Sequence, residues 1–148
     1  MKSKTGLLFY FVLFVSGVYA QPMTLTSHTL NWKGIATWHA GTSTVQVISF
    51  DSAQYPSSNH LPYYNQRLSY DPAFSYQAEL KNSIFIPLTD AESNILSGIH
   101  FIQADPVIKS EIIYERAAGS LNVSIFPFIK RDGNLMKLSS FDLQISKT

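Results

Sequence analysis

At 148 residues, with 14% aromatic and 14% charged side chains, the chain is long enough for one packed domain and too short for a catalytic domain plus an accessory one. Its eleven Lys and Arg stand against ten Asp and Glu, and setting aside Lys2 and Lys4 of the leader leaves nine, so the body is near neutral with no basic stripe for nucleic acid. The absence of cysteine excludes disulfides, thiolate metal ligands and a cysteine nucleophile together, leaving packing alone to hold the fold.

Met1-Lys2-Ser3-Lys4 forms a basic start, Leu7 to Val15 an apolar run, and Val18-Tyr19-Ala20 a cleavage pattern before Gln21, which together read as a secretory signal peptide over residues 1–20. The apolar run is short for a membrane span and polar residues follow it at once. The expected product is a single exported β-rich accessory domain over residues 21–148, with no membrane span after cleavage, in the periplasm, at the outer membrane or on the cell surface.

Met23 to Trp32 reads as a first strand, with Leu30 and Trp32 on one face and Thr29 and Asn31 on the other, punctuated by Lys33-Gly34. Ile35 to His39 and Thr44 to Phe50 flank the turn formers Ala40-Gly41-Thr42-Ser43, a hairpin pattern. From Asp51 to Tyr70 no period holds, and the stretch reads as a long ordered loop. Phe74, Tyr76, Ala78 and Leu80 then alternate with Ser75, Gln77, Glu79 and Lys81, the mark of a half-buried strand.

Thr89-Asp90-Ala91-Glu92 is a capping box, which predicts a short helix near residues 89–97 ended by Gly98. Beyond it the chain reads as a meander: Val107 to Arg116, a turn at Ala117-Ala118-Gly119, Leu121 to Lys130, a turn at Asp132-Gly133, and Asn134 to Ser146. In the last strand the apolar phase switches between Leu138 and Phe141, which predicts a β-bulge near Ser139-Ser140. Pro127 cannot donate a ladder hydrogen bond, so it belongs at an edge or faces away from any partner strand. The sum is a mainly β, antiparallel sandwich-like single domain with one short helix.

Reactive chemistry is not advertised. His28, His39, His60 and His100 form no metal-ligand pair, and His28, in phase with Leu30 and Trp32, reads as a partly buried, hydrogen-bonded side chain. No nucleophile elbow or glycine-rich phosphate loop occurs, Asp90 and Glu92 fit helix capping, and Glu111 and Glu115 fit the polar face of a strand. Asn122-Val123-Ser124 matches a glycosylation sequon but lies inside a predicted strand. The expectation is no catalytic residue, no metal and no cofactor. The segment Leu61-Pro62-Tyr63-Tyr64 is the one candidate interaction loop, since loop tyrosines can anchor an interface or stack on sugars; the alternative is that they fold back over the sandwich edge.

Leu30-Asn31-Trp32-Lys33-Gly34, Phe50-Asp51-Ser52-Ala53-Gln54-Tyr55-Pro56, Leu61-Pro62-Tyr63-Tyr64, Phe126-Pro127-Phe128-Ile129 and Lys137-Leu138-Ser139-Ser140-Phe141 resemble the N-terminal, propeptide-like region of PorU-type proteins. Those are gingipain-like sortases of the Bacteroidetes type IX secretion system. The resemblance implies a region that precedes a cysteine-peptidase-like catalytic domain and supports, docks or shields it. With no cysteine, none of the family's catalytic residues carries over to this sequence. It further implies an exported, non-enzymatic accessory domain whose partner is a protein, either a sortase catalytic domain or a type IX secretion component. Two rivals stand beside it: a periplasmic or surface glycan-binding module using Tyr63, Tyr64 and Trp38, and a propeptide-like inhibitor acting in trans.

Overall fold

The computed structural model describes residues 23–56 and 60–148. The signal-peptide reading therefore falls outside the described residues. The described chain forms nine strands and one helix: β1 (Met23–Thr29), β2 (Trp32–Ala40), β3 (Ser43–Phe50), β4 (Tyr64–Ser69), β5 (Tyr76–Pro87), α1 (Asp90–Leu96), β6 (Val107–Glu115), β7 (Ala118–Phe126), β8 (Phe128–Arg131) and β9 (Asn134–Lys147).

All pairings are antiparallel. In the first sheet β9 is central, with β5 along one side and β1 and β8 sharing the other. The second sheet runs β4-β7-β6, and β2 with β3 makes a separate hairpin. The expected antiparallel sandwich-like fold with one short helix is what forms.

Period-two alternation builds the core between β9 and β7. Leu138, Phe141, Leu143 and Ile145 of β9 face Leu121, Val123 and Ile125 of β7, with Leu30 and Phe50 closing the cluster. A second cluster at one end joins Ile48, Leu61, Leu96, Phe126 and Phe128 under α1. The Trp32 indole borders both clusters and donates to the Leu138 carbonyl at 2.8 Å. A buried indole N–H needs such a partner.

The phase switch in the last strand is a bulge, as its pattern predicts. Phe85 pairs with Leu138 and Ile84 with Ser140, so Ser139 is the unpaired residue of β9. The Ser139 carbonyl accepts instead from Leu30 N–H at 2.8 Å, which satisfies the group the bulge frees. Asp132 and Gly133 both have positive φ, the requirement of a tight two-residue hairpin, and they join Arg131 to its partner Asn134.

The turn expected at Ala117-Ala118-Gly119 falls at Arg116-Ala117, with Ala118 already in β7, and three larger differences from the sequence reading change which residues pair. The first strand ends at Thr29, and Trp32 opens β2, because Leu30 and Asn31 turn the chain from the first sheet to the hairpin. The stretch read as one loop from Asp51 to Tyr70 contains β4, whose Tyr64, Gln66 and Leu68 take the inner phase while Asn65, Arg67 and Ser69 take the outer; polar residues on both faces hide the period. The strand expected over Leu121 to Lys130 breaks at Pro127, so the meander is two hairpins in different sheets. Pro127 has no N–H to donate, and its carbonyl accepts from Leu138 N–H at 2.8 Å at the crossing.

Candidate functional site

The capping box forms as its spacing dictates: Glu92 N–H donates to the Thr89 hydroxyl at 3.2 Å and Thr89 N–H to the Glu92 carboxylate at 3.0 Å. The sequence does not show that Glu92 is buried, with its carboxylate held by both Lys137 contacts at 2.7 and 2.8 Å. The same ammonium lies 4.9 Å from the Trp32 ring centroid. Burial pushes the Glu92 carboxyl up, but Lys137 and the Thr89 groups outweigh it and hold the acid below its ordinary value. This junction clamps α1 to β9. It is a structural pair, and neither residue lines the clefts described below.

His28 behaves as read: it hydrogen-bonds Thr26 through Nε2 at 2.8 Å and Tyr64 through Nδ1 at 2.9 Å, and its ring stacks on Phe141. Burial lowers its pKa, with Asp142 opposing. Ser27 donates to Asp142 at 2.6 Å, yet its partner on β9 is Asp142 while that of His28 is Phe141. Serine and histidine thus point to opposite faces of the sheet and make no relay. Among the described residues no group of three or more His, Cys, Asp or Glu is placed to hold a metal.

The segment Leu61-Pro62-Tyr63-Tyr64 does not stand out as an exposed loop. Leu61 and Pro62 are buried, and Tyr64 lies in β4 with its ring edge against Phe141. Tyr63 is half-buried against Phe126, and Trp38 packs edge-on to Tyr55 with centroids 4.2 Å apart. Tyr63, Tyr64 and Trp38 therefore share no common platform.

Two other features of the second sheet stand out. The first is the β6–β7 hairpin. Its connecting residues Arg116 and Ala117 have φ of 48° and 69°, the left-handed region that glycine favours and that costs about 1–2 kcal/mol for other residues. Tyr114 is 65% exposed and Ile112 44%, although both share the phase of the inward-facing Ile108. The arm is braced from two sides. Arg67 grips Glu115 through two contacts of 2.8 and 3.3 Å, and the Tyr70 ring sits over Gly119, where a Cβ would meet Tyr70 Cδ1 at 2.6 Å. Tyr70 and Tyr114 also meet edge to face at 6.2 Å.

The second feature is the outer face of the same sheet. Tyr63, Asn65, Ser124, Lys109 and Glu111 floor an open cleft of about 510 Å³ walled by Gln54, Tyr55 and Pro56. A neighbouring lobe of about 280 Å³ shares Tyr63, Lys109 and Ser124 and adds Phe101, Gln103, Val107 and Phe126. Polar side chains of the larger lobe form a chain with the neighbouring Asn122. Asn65 donates to Gln54 at 2.7 Å, Ser124 donates to Asn65, and Asn122 reaches Ser124 at 3.3 Å and Glu111 at 3.5 Å.

Both features were hidden from sequence reasoning for one reason: each depends on which residues cross-strand pairing brings side by side. The only local trace was Tyr114 in a strand that ends on a turn without glycine at its two central positions.

Solved structures that share the fold include two of gingipains. A complex of Porphyromonas gingivalis RgpB pro- and mature domains matches with a TM-score of 0.55 and 14% identity, over 87% of this chain and 82% of that one. A structure addressing the zymogenic latency of gingipain K from Porphyromonas gingivalis matches with a TM-score of 0.59 and 10% identity, over 89% of this chain and 95% of that one. No protein-family model matches the sequence, and no curated protein matches it. At these identities the likeness is one of fold, and in both cases it takes in most of each chain.

Proposed function

We propose that this chain is an exported, non-catalytic, propeptide-like domain that acts by binding the catalytic domain of a gingipain-like cysteine peptidase. The observation that carries the reading is the shared fold with two gingipain structures described in terms of pro-domains and zymogen latency, over nearly the whole described chain. The β6–β7 hairpin is the contact element. A rigid partner-binding arm combines exposed aromatic and cationic groups with a backbone fixed before binding, because ordering costs are then not incurred on association. Tyr114 and Arg116 supply the groups, while Arg67 and Tyr70 supply the rigidity.

Within this reading, the five motifs that resemble PorU-type proteins assign the partner more finely, to a sortase catalytic domain or a type IX secretion component at the outer membrane or surface. The basic, apolar and small-residue pattern of residues 1–20 supports export with cleavage after Ala20.

The test is a titration of the secreted protein against the catalytic domains of a gingipain and of a PorU-type sortase, read by calorimetry and by residual peptidase activity. A one-to-one complex of micromolar affinity or better, weakened about tenfold or more by Tyr114→Ala, is expected. Absence of heat and of inhibition with both partners would refute the reading.

A further inference from the structure

The geometry points to a second binding function, distinct from the peptidase contact: the two-lobed cleft on the outer face of the β4-β7-β6 sheet is a site for a neutral oligosaccharide chain. Its size fits, since each lobe is near or within the range of about 300–1,000 Å³ in which small-ligand sites fall. Its chemistry fits better than its size. Sugars present apolar C–H faces and a rim of vicinal hydroxyls, so they are taken up by an aromatic face beside planar amides that donate and accept together.

Aromatic rings and planar amides both line the cleft. Tyr63 borders both lobes, with Tyr55 on the far wall of the larger and Phe101 in the smaller. The Gln54, Asn65, Ser124 and Asn122 side chains are oriented by one another before any ligand arrives. Side chains held in place before a ligand arrives lower the ordering cost of binding it.

The charges argue for a neutral ligand. Lys109 and Glu111 contribute one charge of each sign to the cleft, and the Arg67 and Glu115 charges beside it pair with each other. Lys109 makes no ion pair among the described residues, which leaves its ammonium free to donate to hydroxyls. The rings differ from those singled out by sequence: of Tyr63, Tyr64 and Trp38, only Tyr63 lines the cleft, and its partners Tyr55 and Phe101 come from distant parts of the chain.

The experiment is an NMR titration of the full mature protein with cellohexaose, mannohexaose, chitohexaose, xylohexaose and, as an acidic comparison, hexagalacturonate, each to about 5 mM. At least one neutral hexasaccharide is expected to shift the amides of Tyr63, Lys109 and Ser124. Lys109→Ala, at an exposed position, should weaken that binding severalfold, and Tyr63→Ala should weaken it about tenfold or more. Lys81→Ala, on the other sheet, should leave it unchanged. No shift with any neutral sugar, shifts only with hexagalacturonate, or binding indifferent to both cleft variants would overturn the assignment. Peptidase binding is read separately, so either function can fail alone.

Discussion

Two ion pairs, one at the α1–β9 junction and one at the β6–β7 hairpin, are built to opposite plans. At the α1 end, Lys137 and Glu92 are almost out of solvent, 8% and 3% exposed by side chain, while at the hairpin end Arg67 and Glu115 are 50% and 66% exposed. A buried charge left alone is strongly destabilising, whereas an exposed pair is screened and contributes little. The first end is thus fixed, with an indole, a helix cap and an ammonium satisfied together. The second keeps apolar groups and left-handed residues in water, held by an inexpensive brace. One end holds the fold together, and the other is the end to which the proposed function assigns a partner.

The largest expected effect breaks the fixed end. Lys137→Met leaves the Glu92 carboxylate buried without its cation, and urea denaturation should register a loss of about 3–5 kcal/mol. A change within error would mean that water reaches this pair freely. Acid should act on the same site. The folded-state pKa of Glu92 is depressed, so its contribution is fully present above the ordinary carboxylate value and is lost as pH falls through the lower folded value. Midpoints measured from pH 6 to about pH 3 should fall accordingly, and Lys137→Met should flatten or reverse that dependence.

Smaller effects sharpen the other end. Ala117→Gly removes a left-handed alanine and should raise stability by at most about 1 kcal/mol, because the gain is partly offset by a looser unfolded chain. A clear loss would show that the hairpin takes another conformation. Smallest of all, Arg67→Ala should leave the unfolding midpoint where it is while speeding amide exchange around Glu115.

Legibility followed the range of the interactions. The Thr89 capping box, the Asp132-Gly133 turn and the bulge at Ser139 are set by residues a few positions apart, and all three were readable in the sequence. β4 was not. Tyr64-Asn65-Gln66-Arg67-Leu68-Ser69 is polar on both phases because its outer face floors the open cleft and its inner face carries Tyr64 and Gln66, so no alternation marks it. The break at Pro127 was half visible: the missing N–H was plain, but the change of sheet needed knowledge of what Phe128 pairs with. Glu92 was rightly assigned to the cap, and its second partner lies 45 residues away. The cleft and the braced hairpin are products of cross-strand register, which one sequence does not print.

Hydrogen exchange of residues 21–148, alone and mixed with a gingipain-like peptidase domain, tests this division most directly. Slowed exchange confined to residues 112–118 of the hairpin, with the α1–β9 junction unaltered, is the predicted result. Unaltered exchange at the hairpin, or protection centred on α1 and β9, would contradict the assignment of a fixed end and a binding end.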